Sequence, residues 1–245
     1  MGASSASGAP GAGRPAAGQP NSAPVPFARE LAPVSRPTLE GEWVATVVYP
    51  TAVRRAPSFH GKQLGMVPAV TPWGTPEELL VLGKRMNPEG RTWLRVRLDV
   101  RPNGSAVWLD GQDATVHRDS WRILVSRSKR LLTVFYDNHA RIAFRVVVGK
   151  PSTPTPRGLF AIAAELRQPT NTDFEGSWVM PLTAHSDVLQ RFAGGDGQIA
   201  LHGRGGASLL DPLGTARSHG CIRLADSAIG WIATHVPVGT AVLVV

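Results

Sequence analysis

The sequence holds a single cysteine in 245 residues. No intramolecular disulfide can form, and the lone thiol is either a small buried hydrophobe or a reactive group. No apolar run reaches the ~18–20 residues needed to cross a bilayer, and the N-terminus lacks the charged-then-apolar layout of an export signal. The chain is therefore expected to carry no membrane span, and a role outside the cell requires a signal not visible in it. Acidic residues are also few: 18 Asp and Glu stand against 26 Lys and Arg, for a formal net charge of +8. Such an excess attracts something acidic, whether nucleic acid, an anionic membrane surface or an anionic wall polymer. Nucleic acid is set aside, because the arginines are scattered through strand-like segments and no nucleic-acid motif is present.

What is present divides the chain into three parts. Residues 1–42 are nearly all Ala, Gly, Pro and Ser, a composition that cannot bury enough surface to offset backbone entropy. They are expected to form a disordered linker, extended by Pro10, Pro15, Pro20, Pro24, Pro26, Pro33 and Pro37 into a tether. Residues 43–119 read as short strands and turns. Trp43 to Val48 opens the segment, Trp93 to Leu98 alternates large apolar with polar residues, and Pro102-Asn103-Gly104-Ser105 supplies a tight turn before Ala106 to Leu109. A β-rich extension packed on the following domain is one reading of this region. Residues 120–245 begin with a β-meander: Arg122 to Val125, Leu131 to Tyr136, and Arg141 to Val148, with Ile142, Phe144, Val146 and Val148 on one face. Three prolines between Pro151 and Gly158 impose a rigid connection. One helix comes late, capped by Asp226 or Ser227, with Ile229, Ile232, Ala233 and Val236 at helical spacing and Pro237 and Gly239 ending it. A strand from Thr240 to Val245 closes the chain.

The chemistry concentrates in Ser218-His219-Gly220-Cys221-Ile222-Arg223-Leu224 and in His202-Gly203, which ends the strand-like Ile199-Ala200-Leu201. A thiol needs a nearby base or positive field to act as a nucleophile at neutral pH, and histidine supplies both. His219 lies two residues before Cys221, and His202 lies far enough upstream for an intervening loop to fold back. The imidazole of His202 is expected to hold the thiol ionised and facing solvent. Gly220 permits close backbone approach, and the amides around Gly220 and Cys221 are candidates for oxyanion donors. A zinc site of Cys221, His219 and His202 is disfavoured, since a closed structural site uses more thiols than this chain owns. No cofactor or metal is called for. His60, His117, His139, His185 and His235 have no partner in sequence and read as surface or structural residues. Gln168 to Gly176 and Gly194-Gly195-Asp196-Gly197 read equally as lids over a site or as ordinary turns.

Two resemblances follow from these motifs. The Arg-Pro-Asn-Gly-Ser turn with its tryptophan strand resembles the bacterial Src-homology-three-like small β-barrels, which implies a barrel over 43–119 with a possible role in wall binding. From about Arg122 to Val245 the chain resembles the L,D-transpeptidase catalytic domain. The meander containing Leu-Thr-Val-Phe, the run from Val148 to Gly158, Ile-Ala-Leu-His-Gly at 199–203, and Ser-His-Gly-Cys-Ile-Arg-Leu follow in that family's order. The resemblance implies a mainly β protein: linker, small barrel, then a sandwich-like catalytic domain with one C-terminal helix. It implies Cys221 as nucleophile and His202 as base, oriented by a backbone carbonyl, with Ser218, His219, Gly220, Gly203 and Arg223 lining the acyl site. The implied substrates are peptidoglycan stem peptides, joined between third-position residues through a cysteinyl thioester, with susceptibility to carbapenems and a place in the cell envelope. Trimming of D-alanine, when water replaces the amine, is the alternative reaction. A catalytically silent wall-binding module is the competing class, and a general cysteine protease lacks the matching sequence context.

Overall fold

Alternation of apolar and polar residues resolves into eighteen strands and one α-helix among the described residues; the computed structural model describes residues 43–192 and 194–245. The linker expected at 1–42 lies outside them. The first seven strands are β1 (Trp43–Val47), β2 (Thr51–Arg54), β3 (Gln63–Val67), β4 (Glu78–Met86), β5 (Thr92–Arg97), β6 (Ala106–Asp110) and β7 (Ala114–Arg118). They form one antiparallel sheet in the order β3-β2-β6-β5-β4-β1-β7. Its inward residues, among them Val53, Leu79, Val96, Val107 and Leu109, make a core of their own. The expected small β-barrel is not shown: β3 and β7 stand at opposite edges of the ladder, and no pairing among the described residues closes the sheet. The turn chemistry that selects each hairpin acts locally and does not decide whether the outer strands meet.

The remaining strands are β8 (Trp121–Ser126), β9 (Leu131–Tyr136), β10 (His139–Arg145), β11 (Val148–Gly149), β12 (Gly158–Ala161), β13 (Leu166–Arg167), β14 (Trp178–His185), β15 (Gln198–His202), β16 (Ala216–Ser218), β17 (Ile222–Arg223) and, after the helix α1 (Asp226–His235), β18 (Ala241–Val244). A five-stranded sheet runs β10-β9-β8-β18-β12, and a four-stranded sheet runs β13-β14-β15-β17. The two share one core. Ile123, Val125, Leu132, Phe160 and Val242 come from the first, and Met180, Leu182, Leu201 and Ile222 from the second, with Ala228, Ile229 and Ile232 of α1 packed among them. This is the expected sandwich-like unit with its C-terminal helix. The helix cap differs from expectation. Ala225, whose methyl can make no side-chain bond, takes the N-cap position, and the Asp226 carboxylate turns back to accept the Ser177 amide at 2.7 Å.

The seven-stranded sheet does not stand clear of the sandwich. Leu80 of β4 is fully buried against Leu159 and Ala161 of β12 and Ala241 of β18, with Leu82 and Leu243 at the margin. The Thr240 hydroxyl donates to Asp119 at 2.6 Å beside this patch.

Candidate active site

Strands β15 and β17 build the site. They pair in parallel, Leu201 opposite Ile222 and His202 opposite Arg223. One residue further back, the same register sets Ala200 against Cys221. Side chains alternate across a strand, and here the alternation divides cleanly: Leu201, Ile222 and Leu224 enter the sandwich core, leaving Ala200, His202, Cys221 and Arg223 on the other face. The sole thiol and His202 therefore lie diagonally across one ladder. Both sense the Arg223 guanidinium, and both sense Glu175.

The histidine is 3% exposed. Its Nδ1 donates to the Gly203 carbonyl at 2.8 Å, which makes Nε2 the ring nitrogen that carries the lone pair. Burial, and after it the positive charge of Arg223, pushes its pKa down to about 4, against the opposing pull of the Gly203 and Glu175 carbonyls. The ring is thus a neutral base at physiological pH. Gly203 is required here by packing, since a Cβ would come within 2.4 Å of the Asp226 carboxylate.

Cys221 is partly exposed. Burial pushes its thiol above the ordinary value and the Glu175 charge adds to this, while the Ala200 amide, the Arg223 charge and its own amide pull the other way. The thiol is consequently protonated at rest. The expectation that His202 holds it ionised is corrected to a neutral thiol beside a neutral imidazole, because desolvation penalises both charged forms. The thiol opens onto a shallow recess walled by Ser186, Leu189, Phe192, Gln198, Ile199 and His219.

The loop before the thiol is held from two sides. The Ser218 hydroxyl donates to the Cys221 carbonyl at 2.6 Å and accepts the Gly220 amide at 3.1 Å. That amide is therefore already engaged, which removes it from the expected set of oxyanion donors. Thr155 accepts the Gly149 amide at 2.9 Å and donates to the Gly220 carbonyl at 2.7 Å. Thr153 and the Lys150 amide both donate to the Ser218 carbonyl, at 3.3 and 3.0 Å. The proline-rich connection is thus a brace for the Ser-His-Gly-Cys loop. Gly220 has φ +130°, and a Cβ there would lie 2.6 Å from Ile199 Cδ1.

His219 is exposed, stacked on Phe192 at 4.9 Å between ring centroids, and its Nε2 accepts from Lys150 Nζ at 3.3 Å. Desolvation and the neighbouring Lys150 keep its pKa below the usual value, so it too is neutral. Arg223 is 4% exposed; its guanidinium donates to Asp211 at 2.6 Å and lies 4.6 Å over the Phe174 ring. Phe174 also faces His202, at 6.3 Å. The segment 168–176 therefore reaches the imidazole through Phe174, and Gly197 helps line the recess. Sequence reasoning assigned no role to Thr153, Thr155 or Asp211, and met Phe174 and Glu175 only as part of the 168–176 loop read equally as a lid or a turn. Thr153 and Thr155 stood inside a quoted motif, and that was the one signal available for them.

A family model, the L,D-transpeptidase catalytic domain, matches residues 120–244. The Bacillus subtilis (strain 168) protein YqjB, whose own naming as an L,D-transpeptidase is provisional, is 30% identical over 125 residues, covering 50% of this chain and 69% of YqjB. Among solved structures, a cysteine-to-serine mutant of Enterococcus faecium L,D-transpeptidase is 22% identical with a TM-score of 0.40 over 52% of this chain; the chain spans 50% of that protein's length. An L,D-transpeptidase from Mycobacterium tuberculosis is 14% identical with a TM-score of 0.45, covering 82% of this chain and 97% of its own.

Proposed function

The chain belongs to the L,D-transpeptidase catalytic domain family, and on that premise we propose that it crosslinks peptidoglycan stem peptides, with Cys221 as nucleophile and His202 as general base. His202 Nε2 takes the thiol proton as Sγ attacks the carbonyl of the third residue of a tetrapeptide stem. The bond to the terminal D-alanine breaks, and the proton passes to the departing amine. The thioester is then attacked by a side-chain amine of a second stem. That amine gives up its proton to His202, and the thiol is regenerated as the new amide forms. Of the two amides expected as oxyanion donors, that of Cys221 is the one Ser218 does not take, and Lys150 brings positive charge to His219 on the recess wall, which suits a stem carboxylate. The excess of basic residues suits attraction to an anionic wall polymer and a place in the cell envelope.

One observation carries the reading: a neutral, carbonyl-anchored imidazole and the only thiol in the chain share the outer face of the β15–β17 ladder. The test is intact-mass measurement after exposure to a carbapenem, followed by incubation with disaccharide-tetrapeptide. One adduct on Cys221, absent in Cys221→Ala, and a crosslinked dimer with release of D-alanine are expected. Adducts elsewhere, or none, would overturn the assignment. D-Alanine release without dimer would make the enzyme a carboxypeptidase.

A further inference from the structure

The turn between β5 and β6 belongs to the first sheet, yet its polar side chains are spent on the walls of the recess over Cys221. Arg101 Nη1 donates to the Ser186 carbonyl at 2.7 Å, and Nη2 donates to the carbonyls of Leu189 and Asp196 at 3.1 and 2.9 Å. Asn103 ties His185 in both directions, donating to its carbonyl at 2.6 Å and accepting its amide at 2.8 Å, and it also donates to Asp187 at 2.9 Å. Gln198, a lining residue, donates to Asp99 at 2.6 Å.

These bonds add to ties within the segments themselves: Ser186 Oγ accepts the Val188 and Leu189 amides at 3.3 and 3.0 Å, and Asp196 accepts the Gln198 amide at 3.3 Å and His185 Nε2–H at 3.0 Å, but none of these reaches across from the Ser186–Leu189 stretch to Asp196 and Gly197. Between β14 and β15 the described backbone makes one cross-bond, from the Ser186 amide to the Gly197 carbonyl at 2.8 Å, and a Phe192–Gly195 turn. The carbonyls of Ser186, Leu189 and Asp196 find their donor in one guanidinium from another sheet. A planar fork with several donors fixes two segments relative to each other at once, which a point charge cannot do. The fit beneath it is close: a Cβ on Gly197 would lie 2.2 Å from the Leu189 carbonyl and 3.1 Å from Arg101 Nη2. Ser186, Leu189, Gly197 and Gln198 are the same residues that face Cys221 across the recess.

We propose that Arg101 is a positioning residue that holds the recess in its binding shape, so that the first sheet forms part of the substrate site instead of serving only as a wall-binding appendage. This rests on the reading that a stem peptide enters the recess to reach Cys221. The experiment compares full-length wild type, Arg101→Ala and Arg101→Lys by three measurements: steady-state turnover of a tetrapeptide stem, alkylation of Cys221 by iodoacetamide, and amide hydrogen exchange in 186–192 and 194–198. In Arg101→Ala, KM is expected to rise about tenfold while kcat and the alkylation rate stay within about twofold. Exchange in the two segments is expected to accelerate, with no change in β8, β9 or α1. Arg101→Lys is expected to recover only part of KM, because it keeps the charge and loses the fork. If Arg101→Ala fails to fold, Asn103→Ala breaks the adjacent ties and is held to the same criteria. An unchanged KM with unchanged exchange overturns the proposal, as does an equal fall in kcat and alkylation, which would mark general damage. A wild type inert toward the stem peptide would sink the functional reading instead, and the exchange arm would still decide whether Arg101 holds the recess.

Discussion

Lowering the pH from 7 to 5 should leave acylation of Cys221 nearly intact. His202, at about 4, is roughly nine-tenths neutral at pH 5, whereas an imidazole at its ordinary 6.5 would be about 3% neutral, a ratio near 30. The cause is structural: the ring is buried, and what charge it feels comes first from the Arg223 guanidinium. The displacement of about 2.5 pH units corresponds to about 3 kcal/mol of bias against the imidazolium in the folded protein. Folding stability follows with a definite sign. Because the folded value lies below the unfolded one, the unfolded chain takes the proton first as pH falls through 6.5, so His202 costs stability progressively down to about pH 4 and no further. Glu77, Asp99 and Glu165 act in the opposite direction. Burial raises them to about 8, 7 and 7, so the fold retains their protons and their contribution grows as pH falls through those values. Total stability therefore mixes both signs, whereas the acylation rate isolates the base. The assay is the second-order rate of carbapenem acylation, followed by intact mass at constant ionic strength from pH 3.5 to 8. An acid limb near pH 4 is expected. A limb centred near 6.5, with a loss of about 30-fold at pH 5, would refute the claim that burial beside Arg223 sets the base.

Three further perturbations probe the frame around the site. Gly220→Ala forces a side chain into φ +130° and against Ile199, and should lower stability by about 1–3 kcal/mol in urea titration while slowing acylation; wild-type behaviour in both would show the loop to be more pliant than its contacts imply. Thr155→Val leaves the Gly149 amide and Gly220 carbonyl without their partner in a buried setting, a cost of about 2–3 kcal/mol by the same titration, and the acylation rate should fall with it. Leu80→Ala removes the apolar plug between the first sheet and the sandwich and should cost about 3 kcal/mol within a single unfolding transition reported alike by tryptophan fluorescence and far-ultraviolet dichroism; two separated transitions in the wild type would mean the sheets fold independently.

The parts of the site legible in the sequence are those whose chemistry is carried by adjacent residues. Ser218 to Arg223 and His202-Gly203 announce themselves because a thiol, two imidazoles and two glycines crowd into two short runs. The meander strands and the late helix were legible for a related reason, as periodicity is a local property. What stayed hidden depends on contacts between distant segments. Strand β14 was missed because Pro181 argues against a central strand; the ladder accommodates it with an irregularity before His185, and its carbonyl accepts the Ala163 amide at 2.7 Å. Strand β4 escaped because Gly83 sits at a register shift and its far half is exposed, so no alternation survives to be read. The protonation of the thiol and the imidazole turned on burial, which no spacing reveals.

The turn at 102–105 shows the same limit from the other side. Its Pro-Asn-Gly-Ser composition was correctly read as a turn, and that reading exhausted its local information, because turn residues are chosen for backbone shape. The bonds that Arg101 and Asn103 make fall 82 to 95 residues away along the chain. A site whose proposed nucleophile is recognisable in seven residues can thus have a wall that is recognisable only in three dimensions. If the first sheet shapes that wall, variation in its β5–β6 turn should alter which stems are accepted while the Ser-His-Gly-Cys run and its reactivity stay the same. Grafting a different turn of equal length, lacking the guanidinium at 101, should shift KM ratios among stem peptides of different third residue and leave iodoacetamide alkylation where it was; proportional loss toward every stem would confine the turn to a supporting role.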